Sequence, residues 1–526
     1  MGILTDSWNR HIVQNIPDNT RHFLEEHKGA ITLGAVLFGF YLGYEKVSRP
    51  PKKLRHIPNV PFLGYLKGFL KGVTINEVAT EITLPVALKS EEGLYTRLDQ
   101  NGWSVHITRP EAAKKFLMKT DLFRKHDPYP ERHDTLFAKF ALGPNVLFLN
   151  GPEWKKQRMI ANPAFHRSMP IELFGRLTQR LFKVMDASSN PIDFHDMMER
   201  WTLEAIGLAG FDFEFNALED TNNEWVLTYN DVITGIRDPL FTLFPKLDTW
   251  FLPLFPKRQE LHREVKKLST MLSGIIDHKR AILRNNKEEN IRDSEKDLLT
   301  LLLEAGKEDE KDAMTDEELL SNLCIFFLAG HDTTANALSF AAYYLAVNPD
   351  VQQKAREESI RVLGDDPKDI IPNAEQLKEM PYINMVMKEV LRMDGPAATV
   401  VVREATQDTD LCGVFIPKGA RLQLDIYQLH HNPTVWNNPE KFDPERFAPG
   451  GEAEHNGLAW MPFSQGSRQC IGMNFSLAEQ RVMLSMLLRK YEFSLPENSV
   501  HKKRVLDRGF GVISPKELEI NFHKRY

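Results

Sequence analysis

The sequence predicts a mainly helical protein with a membrane-anchor helix near its amino end. The run from Ala30 to Tyr44 is apolar and uncharged, as in a helix that enters a membrane. Thr315 and Glu318 fit a capping box, and the mostly apolar run Leu319–Leu328 follows directly, which indicates the start of a long buried helix. Residues 473–493, "MNFSLAEQRVMLSMLLRKYEF", are also typical of a helix.

Composition divides the chain into four parts. Residues 1–29 form a polar leader, 30–44 the anchor helix, 45–61 a linker rich in proline and basic residues, and 62–526 one large domain. A full membrane span takes roughly 20 residues, so an interfacial or buried helix is the alternative for the anchor. Basic residues beside a span are retained in the cytosol. The linker contains five of them, Lys46, Arg49, Lys52, Lys53 and Arg55, and we therefore expect a single-pass protein whose large domain faces the cytosol.

Charge and cysteine content exclude several classes of protein. The formal net charge is −6 with acids and bases mixed along the chain, so no polycationic face is available and nucleic acid is not an expected partner. The three cysteines, Cys324, Cys412 and Cys470, are too few and too far apart for a disulfide framework. Each is expected to be a free thiol or a metal ligand in a reducing compartment.

The middle of the predicted central helix has an unusual composition. Residues 329–337 read "AGHDTTANA", where a glycine and hydroxyl side chains lower helix propensity. Ala329 and Thr333 lie four apart, so the Thr333 hydroxyl could bond to the Ala329 carbonyl and open a local groove. Asp332 would add an acid within reach of water in that groove, as a proton relay requires. The alternative is a packing helix with a polar kink.

A buried ion-pair network is predicted further along the chain. Glu389 and Arg392 lie three apart on one helical face in an apolar setting. Arg446 could complete the network, since a buried carboxylate needs more than one partner. Its role would be structural.

The loop around Cys470 has the composition of a metal-thiolate site. Gly466 and Gly472 would let backbone N–H groups approach the sulfur, and the following helix would favour an anionic thiolate at its amino end. No second cysteine or histidine lies at zinc spacing, so a structural zinc site is not expected. One thiolate suits a metal whose other ligands belong to a prosthetic group, whereas the alternative is an inert buried thiol.

With these residues in view, the chain resembles the cytochrome P-450 family, of the microsomal, eukaryotic and fungal-like type. The family pattern F-x-x-G-x-R-x-C-x-G is present from Phe463 to Gly472. Further family features follow one another in the expected order, namely Trp154 with Arg158, residues 329–334, Glu389 with Arg392, Arg403, Ile416, Pro444 and Glu479. Ser464 and Ser476 depart from the pattern, where glycine and alanine are usual. The resemblance covers nearly the whole chain after the anchor and implies one mainly α domain with a small β-rich region.

The resemblance implies a haem b cofactor with Cys470 as the axial ligand of its iron. The residues that it places at the haem are Trp154, Arg158, Ala329, Gly330, Arg403, Phe463, Arg468, Cys470 and Gly472. Among them the arginines and Trp154 match positions that pair with the propionates. Asp332 and Thr333 resemble the acid and alcohol that deliver protons during O2 activation.

The implied activity is a monooxygenase that hydroxylates a lipophilic substrate such as a steroid, fatty acid or other lipid. The resemblance places it in the endoplasmic reticulum membrane. Electrons would come from NADPH through NADPH-cytochrome P-450 reductase, with cytochrome b5 as a second candidate partner. Residues 241–255, rich in aromatics and prolines, match the family's lid connection, which either dips into the membrane or is buried. The alternatives are a haem-thiolate isomerase, dehydratase or peroxygenase, or a non-catalytic haem sensor.

Overall fold

The fold is mainly helical, as predicted. The computed structural model describes residues 27–70, 74–99, 102–166, 169–284, 296–308, 313–510 and 512–526. The predicted leader, residues 1–29, lies almost entirely outside the described residues. The longer helices are α1 (Lys28–Ser48), α2 (Phe62–Leu70), α3 (Pro110–Met118), α4 (Gly151–His166), α5 (Ile171–Ala187), α6 (Phe194–Phe211), α7 (Glu224–Ile236), α8 (Pro256–Arg284), α9 (Leu298–Glu308), α10 (Asp316–Val347), α11 (Pro349–Leu363), α12 (Pro381–Met393) and α13 (Met473–Lys490).

The β-structure is small and its strands are short. They are β1 (Leu94–Asp99), β2 (Gly102–Ile107), β3 (Phe123–Lys125), β4 (Ile192–Asp193), β5 (Arg403–Ala405), β6 (Thr409–Leu411), β7 (Val414–Ile416), β8 (Arg421–Leu424), β9 (Tyr491–Ser494), β10 (Asp507–Phe510), β11 (Val512–Pro515) and β12 (Glu519–Lys524). The largest sheet among the described residues has the order β1-β2-β8-β5-β3, in which only β2 and β8 run parallel. Pairs β6-β7 and β10-β11 and the triplet β4-β12-β9 complete the β-structure of this part of the chain.

The amino-terminal helix is longer than the apolar run that predicted it. Helix α1 has 21 residues, and at 1.5 Å per residue it is about 31 Å long. This length matches the roughly 30 Å apolar core of a bilayer. Most of its large apolar side chains are exposed, and within the described residues α1 is the one helix long and apolar enough to cross a membrane.

The second half of the predicted linker, residues 45–61, belongs to the folded domain. Leu54, Ile57 and Val60 are buried, and the Val60 N–H donates to the Thr96 carbonyl of β1 at 2.9 Å. Proline content predicted an extended connector, but the apolar side chains between the prolines gain free energy by packing on the first sheet. Because α1 continues to Ser48, the connector that remains is only a few residues long.

Helix α10 passes through two apolar cores. It begins with the predicted capping box, in which Thr315 and Glu318 each accept from the other's N–H, at 3.2 and 2.8 Å. Its first half, up to Phe327, packs in one core, and its second half, from Ala335 onward, packs in the other. The unusual residues of its middle turns therefore lie where the two cores separate.

The helix that follows the cysteine loop is shorter than predicted. α13 ends at Lys490, and the last residues of the stretch, Tyr491 to Phe493, begin strand β9. Tyr491 and Phe493 are buried while Glu492 is exposed, which is the alternation of a strand that pairs with β12. An alternation of buried and exposed residues over so few positions cannot be recognised in the sequence when it directly follows a strongly helical run.

A three-member ionic network fastens α12 to the loop after β8. Glu389 is fully buried and forms ion pairs with Arg392 Nε at 2.7 Å and with Arg446 Nε at 3.3 Å. The Asp443 N–H donates to the same carboxylate at 2.9 Å, and the Arg392 guanidinium donates to the His430 carbonyl at 2.8 Å. Arg446 also pairs with Glu452, so the two carboxylates balance the two arginines.

We expect Glu389→Gln to lower the free energy of unfolding by about 3–5 kcal/mol, because it leaves the buried Arg392 without its counter-charge and removes one of the two carboxylates that pair with Arg446. Urea unfolding followed by circular dichroism measures this change. The control is Glu375→Gln, which breaks the exposed pair with Lys378 and should change the unfolding free energy little. Equal effects of the two substitutions would contradict the structural role of Glu389.

Candidate active site

The cysteine loop is held by its own backbone. The Cys470 N–H donates to the Phe463 carbonyl at 2.9 Å, and residues Gly466–Arg468 form one 3₁₀ turn between them. Gly466 has φ +75°, and a Cβ there would lie 3.1 Å from Met118 Sδ on α3, so this position requires glycine. Gly472 is the cap residue of α13. The sulfur is thereby placed beside the amino end of a helix.

The Cys470 thiol lies in a mixed electrostatic environment. Its side chain is accessible on one side, but protein encloses the sulfur on the others, and this burial raises its pKa. The Gly472 N–H and the positive charges of Arg158 and Lys125 act in the opposite direction. A metal would favour the thiolate form of Cys470, because metal binding displaces the thiol proton.

Four cations from four different elements gather around the loop. They are Lys125 on β3, Arg158 on α4, Arg403 on β5 and Arg468 in the loop itself. Lys125 and Arg403 are directly opposite each other in the β3-β5 register. Burial, followed by the charges of the three arginines, holds the pKa of Lys125 well below its usual range. Burial also lowers the pKa of Arg403 to about 10, and burial with the Arg403 and Arg158 charges lowers that of Arg468 to about 9.

These cations lack anionic partners in the protein. Over the described residues, none of the four forms an ion pair with a carboxylate; Lys125 Nζ and the Arg403 and Arg468 guanidinium groups donate to backbone carbonyls instead. Arg468 Nη2 donates to the Leu149 carbonyl at 2.7 Å, while its buried Nη1 has no partner within this part of the chain. The Arg468 guanidinium also stacks 3.8 Å over the Trp154 ring. The arrangement fits a ligand that carries more than one carboxylate.

The middle of α10 contains an open stretch within a buried helix. Ala329 is exposed and Thr333 is half-buried, although the helix on either side is buried. The Thr333 hydroxyl donates to the Ala329 carbonyl at 2.7 Å, as the spacing predicts. At Gly330 close packing against α6 favours a residue without a side chain, because a Cβ there would lie 3.1 Å from Ile206 Cδ1.

Asp332 occupies a different position from the one predicted. It is buried, its Oδ2 accepts from Arg237 Nη2 at 2.6 Å, and its Oδ1 accepts from the Tyr229 hydroxyl at 3.2 Å. Successive residues of a helix point about 100° apart, so when Thr333 faces the opening, Asp332 faces α7. Burial and then the Asp332 charge raise the pKa of Tyr229 well above its usual value, which keeps this phenol a hydrogen-bond donor.

The helix with the open stretch contacts the helix of the cysteine loop. The hydroxyls of Thr334 on α10 and Ser476 on α13 are 2.9 Å apart, and Gln480 also donates to Ser476 at 3.0 Å. The serine that replaces the usual alanine is therefore part of this contact. Thr333 and Cys470 thus belong to the two helical segments that this hydrogen bond joins.

Sequence reasoning missed four residues that the structure brings to these groups. Lys125 joins the cations, and Asn150 holds it there by accepting from the Lys125 N–H at 3.0 Å and from Arg468 Nη2 at 3.3 Å. Arg237 and Tyr229 are the partners of Asp332. An isolated lysine in a strand and an asparagine before a helix carry no functional signal in a single sequence.

The fold and the site together define a mainly helical protein with a single-thiolate site beside a partly buried cluster of cations. A family model for cytochrome P450 matches residues 88–522. The chain belongs to the cytochrome P450 family, whose members carry haem, and it is an oxidoreductase of the monooxygenase type. In the described residues no cluster of three or more histidine, cysteine or carboxylate side chains is placed to hold a metal ion.

Curated relatives and solved structures agree with this assignment. Cytochrome P450 4F12 of Homo sapiens is 30% identical over 389 residues, covering 71% of this chain and 73% of the relative. Taurochenodeoxycholic 6 alpha-hydroxylase of Sus scrofa is 32% identical over 391 residues, covering 72% and 75%. The crystal structure of the cytochrome P450DA haem domain has a TM-score of 0.72 and 23% identity, covering 89% of this chain and 98% of its own. The expected fungal-like character stays a prediction.

We expect Lys125→Met to speed haem loss about tenfold, because one charge-assisted contact to a propionate is removed while repulsion within the cation cluster is relieved. Transfer of haem to excess apomyoglobin measures the rate without any turnover. Lys114→Met, which removes an exposed charge on α3, is the matched control. An unchanged rate in the Lys125 variant would exclude this lysine from the haem site.

Proposed function

We propose that this protein hydroxylates a lipophilic substrate by inserting one oxygen atom of O2. The observation that carries the proposal is a group of four buried or partly buried cations, without carboxylate partners among the described residues, beside the accessible Cys470. In this proposal the Cys470 thiolate would hold the haem iron, and Arg158, Arg403, Arg468 and Lys125 would hold the two propionates. The Trp154 ring stacks against the Arg468 guanidinium, and the Phe463 carbonyl holds the loop by accepting from the Cys470 N–H.

The bound haem supplies O2 activation, with electrons that originate from NADPH. The protein supplies the protons. Thr333 Oγ1 lies at the open stretch of α10 and donates to the Ala329 carbonyl, and rotation about its Cβ–Oγ1 bond would turn the O–H toward the opening. Asp332 must leave Arg237 before it can exchange a proton with Thr333. Arg237 is about a quarter exposed, which gives this acid a connection to solvent.

We infer the substrate class from the apolar segments of the chain. Residues 396–402, "PAATVVV", join α12 to β5 and mostly lack polar side chains. In the lid connection, Phe244 and Trp250 are 58% and 76% exposed, whereas Phe241 and Asp248 are buried, so part of its aromatic surface faces outward. A curated relative is named for 6 alpha-hydroxylation of a taurochenodeoxycholic compound. A steroid, bile acid or fatty acid is therefore the substrate class that we propose.

We further propose that α1 anchors the protein in the endoplasmic reticulum membrane with the large domain on the cytosolic side. The length and exposed apolar surface of α1 support this placement, as do the basic residues that follow it. The exposed aromatics of the lid connection would add contact with the same bilayer. NADPH-cytochrome P-450 reductase is the proposed electron donor, and cytochrome b5 a second one.

The function is tested with the purified full-length protein. Reduction with dithionite under carbon monoxide should give a difference band near about 450 nm, and Cys470→Ala should lose it. With reductase and NADPH, a lipid substrate should yield a hydroxylated product that contains one atom from ¹⁸O2. Thiolate spectra without NADPH-dependent product would favour an isomerase, dehydratase or peroxygenase, and spectra without any turnover would favour a sensor.

For Thr333→Ala we expect NADPH consumption to continue while product per NADPH falls about tenfold or more, because a proton donor is removed from the open stretch. The measurement compares NADPH, product and H2O2 in the same reaction. Thr333→Ser retains a hydroxyl and should recover most of the coupling. If the alanine variant stays fully coupled, the proton-delivery role of Thr333 is wrong.

A further inference from the structure

Two buried carboxylates outside the candidate active site meet at one asparagine. Asp507, at the start of β10, accepts from the Ile75 N–H at 2.7 Å and from the Asn76 N–H at 3.1 Å. Asp394, at the end of α12, accepts from the Asn76 side-chain amide at 3.1 Å and from the Tyr344 hydroxyl. The two acids and Asn76 are all less than a tenth exposed.

The charge of this pair is poorly compensated. Burial, followed by the neighbouring Asp394 charge, raises the pKa of Asp507 to about 7, and burial raises that of Asp394. The titratable and charged groups that face the pair are Arg504, Tyr343, Tyr344, Tyr427, His431 and Glu440. Of the two basic groups, Arg504 is already paired with Glu77 at 2.9 Å, and the His431 ring lies between the Met393 carbonyl and Glu440. A proton is therefore the simplest way to balance the two carboxylates.

The surroundings also contain an acceptor for that proton. Asn76 Oδ1 is buried and has no hydrogen-bond partner within the described residues. A neutral Asp507 can donate one O–H and still accept from the Ile75 and Asn76 N–H groups. An ionised Asp507 accepts only, which leaves a second negative charge beside Asp394.

The pair joins two parts of the chain that are far apart in sequence. Residues 74–87, which form short helical segments after α2, lie on one side. The β10-β11 hairpin lies on the other, and the Ile513 N–H of that hairpin donates to the Pro396 carbonyl at 2.7 Å. Pro396 opens the apolar stretch that leads to Arg403. The carboxylate pair thus connects residues 74–87 to a hairpin that contacts this apolar stretch.

We propose that Asp394 and Asp507 form a pH-sensitive clasp, in which Asp507 carries a proton and the two acids hold residues 74–87 on the β10-β11 hairpin. The clasp is separate from the proposed oxygenation and uses no haem chemistry. When the proton is lost, repulsion between the two buried carboxylates weakens the attachment of this segment, and the hairpin loses one of its supports.

The direction of the pH effect follows from linkage. In the closed clasp the pKa of Asp507 is about 7, so the side chain keeps its proton below that pH. In the opened segment its pKa is that of an ordinary aspartate, about 4. Between these values the closed form binds more protons than the open form, so raising the pH favours opening. The opening equilibrium should increase up to tenfold per pH unit in this window and become constant above it.

Hydrogen exchange of the haem-loaded, full-length protein in nanodiscs tests the clasp. Protection factors of peptides from residues 74–87, normalised to intrinsic exchange at each pH, are measured from pH 5.5 to 8.5. The wild type should lose protection by up to about tenfold per unit toward pH 7 and then level off. Asp507→Asn has one acceptor oxygen fewer, so its protection should be lower at acid pH but nearly independent of pH.

A second variant and a control make the result decisive. Asp394→Asn removes the neighbouring negative charge and should move the inflection to lower pH, which is informative even if the Asp507 variant folds poorly. Glu91→Gln, an exposed carboxylate in a turn, should retain the wild-type profile. A flat wild-type profile, or an unchanged inflection in Asp394→Asn, would overturn the proposal.

Discussion

The architecture depends on one constraint of its central helix, which must be buried at both ends and open in the middle. The two halves of α10 pack in separate apolar cores, so they fix the helix on either side of its middle turns. In those turns Ala329 leaves space and the Thr333 hydroxyl is satisfied by a carbonyl of the same helix. The opening is therefore made by rigid flanks and small side chains rather than by a flexible segment.

The second feature that shapes the structure around Cys470 is a group of cations that have no carboxylate partner among the described residues. Desolvation of a cation costs several kcal/mol unless a partner compensates it, and four cations share this position around Cys470. Backbone carbonyls and the ring of Trp154 compensate part of that cost. A dianionic group would supply the rest, so the fold of this region and the binding of its prosthetic group are coupled energetically.

Buried acids in this protein are compensated in two ways, which differ in how their contacts depend on pH. Glu389 is matched by two arginines and a backbone N–H, which fix its position. Asp394 and Asp507 are surrounded mainly by neutral donors, so their balance depends on a proton that solvent can remove. An acid paired with arginine stabilises at all physiological pH values, whereas an acid balanced by a proton makes its contact sensitive to pH.

The sequence by itself determined the features that depend on residues a few positions apart: the capping box of α10, the Thr333 to Ala329 bond, the Glu389 to Arg392 pair and the cysteine loop. Helical spacing and turn geometry set these contacts locally. Only the tertiary structure decided that Asp332 meets Arg237, 95 residues away, and that Lys125 lies opposite Arg403. Such partners are chosen by strand register and helix packing, which depend on the whole core, and the side chains that meet there carry no local pattern.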